Sequence, residues 1–289
     1  MNNPLNQYAH SDVLVSTQWL SDHLNDDNLR IVEVDMSPNA YQSAHIPGAI
    51  FWNILTDLLK PDLSQNLEPA AVSALLSRSG ITPETTVVAY GSYPGTGGWI
   101  FWLLSLMGHR NIRVLNGGYQ KWRAEQRPVA DALSTVEPTE YGVAERVSDT
   151  GAVNGADMRT TYEQIQASFN RPAQVLLDVR SDLEYQGKQF LMKPPEGHER
   201  AGHIPGAVHM EHTRLLAEDG TFKSFEALQA LCNSHGITAD KTIVPYCAIG
   251  ARAGFVWFVL TYLLGYDTVR NYDGSWNEWS RLPDAPVES

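Results

Sequence analysis

The sequence predicts an α/β protein made of two tandem domains, each a parallel β-sheet with helices on both faces. Three observations support this fold class. With 289 residues and 43% hydrophobic side chains, the chain is long enough for two cores of ordinary size. Short β-branched segments alternate with helical patterns, as expected for parallel sheets covered by helices. The same sequence landmarks also occur twice, in the same order.

The first half begins with a helix and a strand. Ser16 or Thr17 can cap a helix that includes Trp19, and the residues that follow, Leu29–Asp35, have the β-branched content of a buried strand. A turn segment at residues 44–50 contains Pro and Gly, and Thr86–Tyr90 is again rich in β-branched residues. These signals predict an alternating strand and helix order.

The second half repeats these signals. The turn sequence His-Ile-Pro-Gly-Ala begins at His45 and again at His203, and a predicted strand ends in Tyr90 and again in Tyr246. A duplicated domain explains this repeat. We therefore predict one domain at residues 1–125, a linker rich in Pro, Ser, Thr, Gly and charge at residues 126–154, and a second domain at residues 155–289. The histidine turns occur in both halves, which favours a structural role for both.

Cys247 lies at the point where a predicted strand ends and a predicted helix begins, and this edge of a parallel sheet is where active sites form. Only a thiolate is a strong nucleophile, so a neutral-pH enzyme must stabilise negative sulfur. The turn after Cys247 is made of small residues and contains Arg252. We expect inward-facing backbone N–H groups, the helix N-terminus and the Arg252 charge to favour an anion beside the sulfur.

The first half differs from the second at this position. Gly91 stands where Cys247 stands in the second half, and the segment at residues 92–98 contains no arginine. The sequence therefore places the nucleophile in the second half alone. The other cysteine, Cys232, lies in a helical pattern with leucines and is interpreted as a core residue.

Four residues separate Cys247 from Arg252, whereas five separate the same residue types in the phosphate-binding loop of cysteine-dependent phosphatases. A tighter ring suits one sulfur atom better than a phosphoryl group. Together with the repeated His-Ile-Pro-Gly-Ala turn and the Asp-Gly-Ser-Trp segment that begins at Asp273, the Cys-Ala-Ile-Gly-Ala-Arg loop resembles the two-domain rhodanese sulfurtransferases over nearly the whole chain.

The resemblance implies a ping-pong reaction in which Cys247 takes a sulfane sulfur from a donor, holds it as a persulfide and passes it to cyanide or another thiophilic acceptor. It also assigns Arg180 to the anionic end of the donor, against the alternative that Arg180 is a surface arginine. Asp178 then orients Arg180 or braces the loops, and Asp273 borders the pocket. The expected substrate-binding residues are Arg180, Arg252, Ala248, Ile249, Gly250 and Ala251.

The sulfur donor stays open at this point. Ile249 stands where many thiosulfate-using members have a basic residue, and the loop also differs from the Cys-Gly-Ser-Gly type of mercaptopyruvate-using members. Thiosulfate sulfurtransferase is the first hypothesis, and 3-mercaptopyruvate sulfurtransferase is the second. A sulfur-carrier or redox-sensing module that receives sulfur from a protein is a third, and a cysteine-dependent phosphatase or arsenate reductase is disfavoured by the loop length.

Charge and composition exclude other functions. A formal net charge of −12 argues against nucleic-acid and anionic membrane partners. No segment approaches the ~20 apolar residues of a membrane span, and the N-terminal residues show no secretory signal. Two cysteines and nine histidines show no metal-ligand spacing, so we expect no metal and no cofactor. The default location is the cytoplasm, and the oligomeric state is left open.

Overall fold

The chain forms two parallel β-sheets, one in each half, in a computed structural model that describes residues 4–93, 95–142, 152–153, 156–169, 171–190, 193–196 and 199–289. The first sheet is fully parallel, with the strand order β1-β5-β4-β2-β3. Its strands are β1 Leu14–Val15, β2 Leu29–Asp35, β3 Ile50–Asn53, β4 Thr86–Tyr90 and β5 Ile112–Leu115. The predicted bounds of β2 and β4 are therefore correct.

Helices cover the first sheet. They are α1 Thr17–Asp22, α2 Asn39–Ser43, α3 Pro69–Arg78, α4 Thr96–Leu106 and α5 Gly118–Ala124. Ser16 caps α1, because its hydroxyl accepts a hydrogen bond from the Trp19 N–H. Short 3-10 helices lie at Pro4–Gln7 and Ser11–Val13, and a π-helical turn lies at Ile54–Leu58.

The second half repeats the arrangement. A short antiparallel pair, β6 Ala152–Val153 and β7 Ala156–Asp157, precedes a parallel sheet with the order β10-β8-β9. The strands of that sheet are β8 Gln174–Asp178, β9 Val208–His209 and β10 Thr242–Tyr246. Isolated parallel bridges join Ile243 to Val269 and Arg159 to Asn271, which extends the sheet in the manner of β5 and β1. The predicted α/β fold with two parallel sheets is confirmed.

The helices of the second half follow the same order. They are α6 Tyr162–Ala167, α7 Asp182–Tyr185, α8 Phe225–Ser234, α9 Ala251–Phe258 and α10 Ser275–Trp279. A 3-10 helix lies at His212–Leu215, and the predicted long apolar helix after Cys247 is α9 continued by a π-helical turn at Val259–Leu263.

The same hydrogen bond fixes the histidine turn in both halves. The hydroxyl of Tyr90, at the end of β4, accepts a hydrogen bond of 3.2 Å from the Ile46 N–H. The hydroxyl of Tyr246, at the end of β10, accepts one of 3.1 Å from the Ile204 N–H. Each turn is thereby tied to the carboxyl end of the strand where the site forms.

The histidines of these turns stack on neighbouring tyrosines. His45 lies against Tyr41 with ring centroids 4.0 Å apart, and His203 lies against Tyr185 at 3.7 Å. The Nδ1 atom of each ring also hydrogen-bonds the carbonyl of the same tyrosine. These contacts agree with the structural role expected for both histidines.

Helices α4 and α9 join the two halves. Every residue of α4 is buried, as expected for a helix that is apolar on all sides. One core cluster contains residues of both helices, including Trp99, Trp102, Phe255 and Phe258, while the outer face of each sheet has a separate cluster. The two sheets therefore share one inner core.

The predicted linker falls partly outside the described residues, which omit positions 143–151 and 154. Its first part lies against the first half. The N–H of Tyr141 donates to the Ser77 hydroxyl at 3.0 Å, and the N–H of Thr139 donates to the Ser77 carbonyl at 2.9 Å. The domain boundaries stay predictions.

Candidate active site

Cys247 follows the last residue of β10 directly, at the carboxyl end of the second sheet. β10 pairs with β8 so that Tyr246 lies opposite Asp178. The residues after β8 and the loop after β10 therefore meet at one edge of the sheet, as the rule for parallel sheets requires. Among the loop residues Ile249, Ala251 and Arg252 are partly exposed, whereas Cys247 is buried.

The thiol has a backbone donor. The Gly250 N–H points at the Cys247 sulfur with a nitrogen–sulfur distance of 3.1 Å. The Ser275 oxygen lies 4.0 Å from the sulfur, but it accepts from the Cys247 N–H at 3.0 Å and donates to the Tyr272 carbonyl at 2.8 Å. Gly250 is thus the closest hydrogen-bond donor to the sulfur among the contacts of the described residues, and Ser275 fixes the backbone that carries the thiol.

Gly250 has to be a glycine. Its φ of +87° lies in the left-handed region, and a Cβ atom there would lie 2.5 Å from the Asp273 carbonyl oxygen. This residue caps α9, which begins at Ala251 as the sequence predicts. The turn therefore reverses the chain tightly enough for the Gly250 N–H to reach back to Cys247.

The loop carbonyls have partners on other parts of the chain. The Ala248 carbonyl accepts from the Asn277 N–H at 2.8 Å, and the Ile249 carbonyl accepts from Gln65 Nε2 of the first half at 2.6 Å. The Gly250 carbonyl accepts from Asn271 Nδ2 at 3.3 Å. Outward-facing carbonyls leave the inner side of the loop to N–H groups and to the sulfur.

Arg252 forms a two-pronged ion pair with Glu184, with nitrogen–oxygen distances of 2.7 and 2.8 Å. Burial alone would lower the pKa of Arg252. The hydrogen bonds that Arg252 donates to Glu184, and its charge interaction with the neighbouring Cys247, raise this pKa instead. Burial alone would raise the pKa of Glu184, but Arg252 brings it down to about 2. Arg252 therefore keeps its positive charge near the sulfur.

Arg180 is buried, with only 1% of its side chain exposed. Its guanidinium donates to both carboxylate oxygens of Asp178, with a shortest distance of 2.6 Å, and to the Gly202 carbonyl at 2.7 Å. It also lies over the rings of Tyr246 and Trp276. The surface-arginine alternative is wrong, and binding of a donor by Arg180 would require this group to leave its partners. Asp178 holds the Arg180 guanidinium through these hydrogen bonds.

Asp273 lies beside the loop through its backbone, next to Gly250. Its side chain is buried and accepts a hydrogen bond of 2.5 Å from Arg159 Nε. Burial raises the pKa of Asp273, although Arg159 opposes the shift. The carboxylate therefore ties this segment to Arg159.

Sequence reasoning assigned no role to four residues of this site. Gln65 and Ser275 hydrogen-bond the loop, Glu184 pairs with Arg252, and His212 interacts with that pair through its charges. Glu184 had a local signal, because Ser181 and Glu184 form a capping box at α7 and this motif is readable from the sequence. Ser275 belongs to the Asp-Gly-Ser-Trp segment that the sequence analysis singled out, whereas Gln65 is distant in sequence from Cys247 and has no such pattern.

His212 is a buried histidine near the ion pair. Its ring packs against Phe255, and its Nδ1 atom has no hydrogen-bond partner among the described residues. Burial lowers the pKa of His212 to about 4, helped by the positive charge of Arg252 and opposed by Glu184 and by the Val179 backbone. The ring is therefore neutral at neutral pH.

The equivalent position of the first half has no room for a side chain. A Cβ atom on Gly91 would lie 2.4 Å from the Val34 carbonyl and 2.9 Å from the Thr96 side chain. A cavity of about 70 Å³ lies beside it, lined by residues such as Tyr119 and Phe255. Steric crowding thus agrees with the absence of a nucleophile at this position.

In the parts of the chain that the structure describes, no group of three or more His, Cys, Asp or Glu side chains could hold a metal ion. No helix within those parts is long and apolar enough to cross a membrane. Both cysteines are free and buried, and burial raises the pKa of Cys232 to about 12. Cys232 is therefore the less reactive type of thiol.

A family model for the rhodanese-like domain matches residues 16–125 and 161–282. The chain is 41% identical over 283 residues to the sulfur carrier protein TtuD of Thermus thermophilus, covering 97% of this chain and 98% of that protein. It is 40% identical over 286 residues to a protein of Mycobacterium bovis provisionally named thiosulfate sulfurtransferase SseA, covering 98% and 93% of the two chains.

Solved structures show the same architecture. The anaerobic ergothioneine biosynthesis enzyme of Chlorobium limicola, crystallised with trimethyl histidine, matches with a TM-score of 0.81 and 26% identity. The match covers 98% of this chain and 71% of that one. A structure of the enzyme EanB with a cysteine persulfide and ergothioneine matches with a TM-score of 0.79 and 25% identity, over 98% and 71% of the two chains.

Proposed function

The chain belongs to the rhodanese family, and from this premise we propose that it is a sulfurtransferase that carries sulfur as a persulfide on Cys247. Thiosulfate is the proposed donor, and cyanide or another thiophilic compound is the proposed acceptor. The observation that carries the proposal is the Gly250 N–H aimed at the Cys247 sulfur at 3.1 Å, with the Arg252 charge beside it. Both favour a negatively charged sulfur.

The proposed reaction has two displacements on sulfur. The Cys247 thiolate attacks the outer sulfur of thiosulfate, a new sulfur–sulfur bond forms, and sulfite leaves with the electron pair of the bond that breaks. The persulfide formed is an anion on its outer sulfur. The acceptor then attacks this sulfur, so that cyanide leaves as thiocyanate and the Cys247 thiolate returns.

The loop residues divide into two roles in this proposal. Ala248, Ile249, Gly250 and Ala251 shape the ring around the sulfur, and Arg252 supplies the positive charge that steadies both the thiolate and the persulfide. Arg252 is partly exposed, with 26% of its side chain accessible, so it also meets an incoming anionic donor. Donor binding by Arg180 would require its side chain, which is buried against Asp178, to leave that partner.

A second candidate function is a sulfur carrier that receives sulfur from another protein. The 41% identity to the sulfur carrier protein of Thermus thermophilus favours it. Cys247 would perform the same chemistry, but the donor and acceptor would be proteins. A cytoplasmic location belongs to both proposals, because free thiols persist in a reducing compartment.

Steady-state kinetics test the proposal. Thiocyanate release from thiosulfate and cyanide is measured for the wild type, Cys247→Ser and Cys232→Ser. We expect Cys247→Ser to have no activity, because a hydroxyl has a far higher pKa and a poor affinity for sulfur. Cys232→Ser should stay active. No turnover in the wild type, combined with persulfide formation by a protein donor, would favour the carrier instead. An active Cys247→Ser variant would exclude both.

A further inference from the structure

Gln65 of the first half contacts the catalytic loop of the second half. Its Nε2 atom lies 2.6 Å from the Ile249 carbonyl oxygen, and its Oε1 atom lies 3.1 Å from the Trp99 indole nitrogen. Gln65 is buried, with 5% of the residue exposed. A buried amide needs both of these partners, since an unpaired one costs free energy.

The chemistry of the partners fixes the orientation of the amide. An indole N–H can only donate, so the Trp99 side must be the amide oxygen. A backbone carbonyl can only accept, so the Ile249 side must be the amide nitrogen. The two partners together thus determine the orientation of the Gln65 side-chain amide.

The Ile249 carbonyl and the Gly250 N–H belong to the same peptide unit. This bond is trans, so the carbonyl and the N–H point in opposite directions across a rigid plane. The carbonyl points to Gln65 and the N–H points to the Cys247 sulfur at 3.1 Å. Rotation of this peptide would break both hydrogen bonds together.

We propose that Gln65 is a positioning residue, by which the half without a nucleophile holds the Ile249–Gly250 peptide so that its N–H faces the sulfur of Cys247. The inference rests on the proposed role of Cys247 as the nucleophile. The Ile249–Gly250 peptide needs to be held in this way because the backbone at a glycine rotates more freely than at any other residue.

The turn that carries Gln65 is itself fixed. The Leu63 N–H donates to the Lys60 carbonyl, and the Lys60 N–H donates to the Ser64 carbonyl. The Asp62 carbonyl in the same turn accepts from Asn277 Nδ2 at 2.9 Å, and the Asn277 N–H donates to the loop carbonyl of Ala248. One turn of the first half therefore reaches the catalytic loop by two routes.

The test compares Gln65→Leu with a control that loosens the interface elsewhere. Gln65→Leu removes the donor at nearly constant volume. Lys121→Met breaks the ion pair of 2.8 Å between Lys121 and Asp219, which joins the halves without touching the loop. Circular dichroism and thermal melting confirm the fold of each variant. Gln65→Met, which keeps the length of the side chain, takes the place of a Gln65→Leu variant that fails to fold.

The readout is the rate at which iodoacetamide alkylates Cys247 as a function of pH, followed by peptide mass. This readout does not depend on sulfur transfer. We expect alkylation of the Gln65 variant at neutral pH to slow by about tenfold, because the sulfur loses its closest hydrogen-bond donor, and the profile to move to higher pH. Persulfide formation from thiosulfate should slow by about tenfold as well. Lys121→Met should match the wild type in both.

An unchanged alkylation profile in the Gln65 variant would overturn the inference, and so would an equal shift in Lys121→Met, since loosening of the interface would then explain it. If the wild type formed no persulfide and the alkylation profile of the Gln65 variant still moved as expected, the proposed function would be rejected. The positioning role of Gln65 would then remain intact.

Discussion

Single residues at this site act through ion pairs that are largely buried. Glu184 and Arg252 pair through two hydrogen bonds, and Asp178 and Arg180 pair beside them. A buried pair adds little net stability, but removal of one partner leaves an uncompensated charge. The two arginines differ in their access to an incoming donor, because Arg252 is partly exposed and Arg180 is not.

Arg180→Ala tests the role of the second pair. We expect a loss of about 3–5 kcal/mol in the free energy of unfolding, because Asp178 stays buried without its partner. Chemical denaturation measures this loss, and the exposed Arg110→Ala serves as the control. A variant with unchanged stability and a raised KM for thiosulfate alone would return Arg180 to the donor-binding role that the family resemblance implies.

His212 provides a prediction about pH. Its pKa is lowered to about 4 in the folded protein, so the unfolded chain takes up the proton first as the pH falls below about 6.5. The contribution of neutral His212 to the free energy of unfolding is therefore complete above that pH and is lost progressively down to about pH 4.

Between pH 7 and pH 5 the loss should be about 2 kcal/mol. The unfolding free energies of the wild type and His212→Gln, measured across this range, should converge as the pH falls. Parallel pH profiles for the two proteins would mean that His212 does not titrate differently in the folded state.

At the scale of elements, the site is the connection between β10 and α9. The sequence predicts this strand, turn and helix correctly, because a continuous β-branched segment, small residues and an apolar segment follow each other without overlap. Its exact geometry depends on Asp273, whose backbone lies against Gly250. That contact joins two segments that are distant in sequence, so no local sequence pattern predicts it.

Gly250→Ala tests this geometry. The φ of +87° alone costs about 1–2 kcal/mol for an alanine, and the Cβ atom would lie 2.5 Å from the Asp273 carbonyl oxygen. Gly108→Ala is a matched control, because Gly108 has a φ of +86° and nothing within 4 Å of the position that a Cβ atom would take. We expect both variants to lose stability, and Gly250→Ala alone to lose sulfur transfer. Equal effects of the two substitutions on activity would contradict the claim that the geometry of the Gly250 turn supports sulfur transfer.

At the scale of the whole molecule, the duplication explains the fold and part of the site. Repeated landmarks such as Tyr90 and Tyr246 reveal the two halves because each copy ends an equivalent strand. They do not reveal how the halves meet. The contact between Gln65 and Ile249 spans the interface, and the ion pair between Glu184 and Arg252 joins α7 to α9 within the second half. Such contacts follow from tertiary packing and have no sequence period.

The most direct test of the central claim is the intact mass of the protein after exposure to thiosulfate. We predict a gain of about 32 Da, the mass of one sulfur atom, that disappears when cyanide is added. Cys232→Ser should show the same gain, and Cys247→Ser should show none. A wild type without this gain, or a Cys247→Ser variant that retains it, would contradict the claim that Cys247 carries the sulfur.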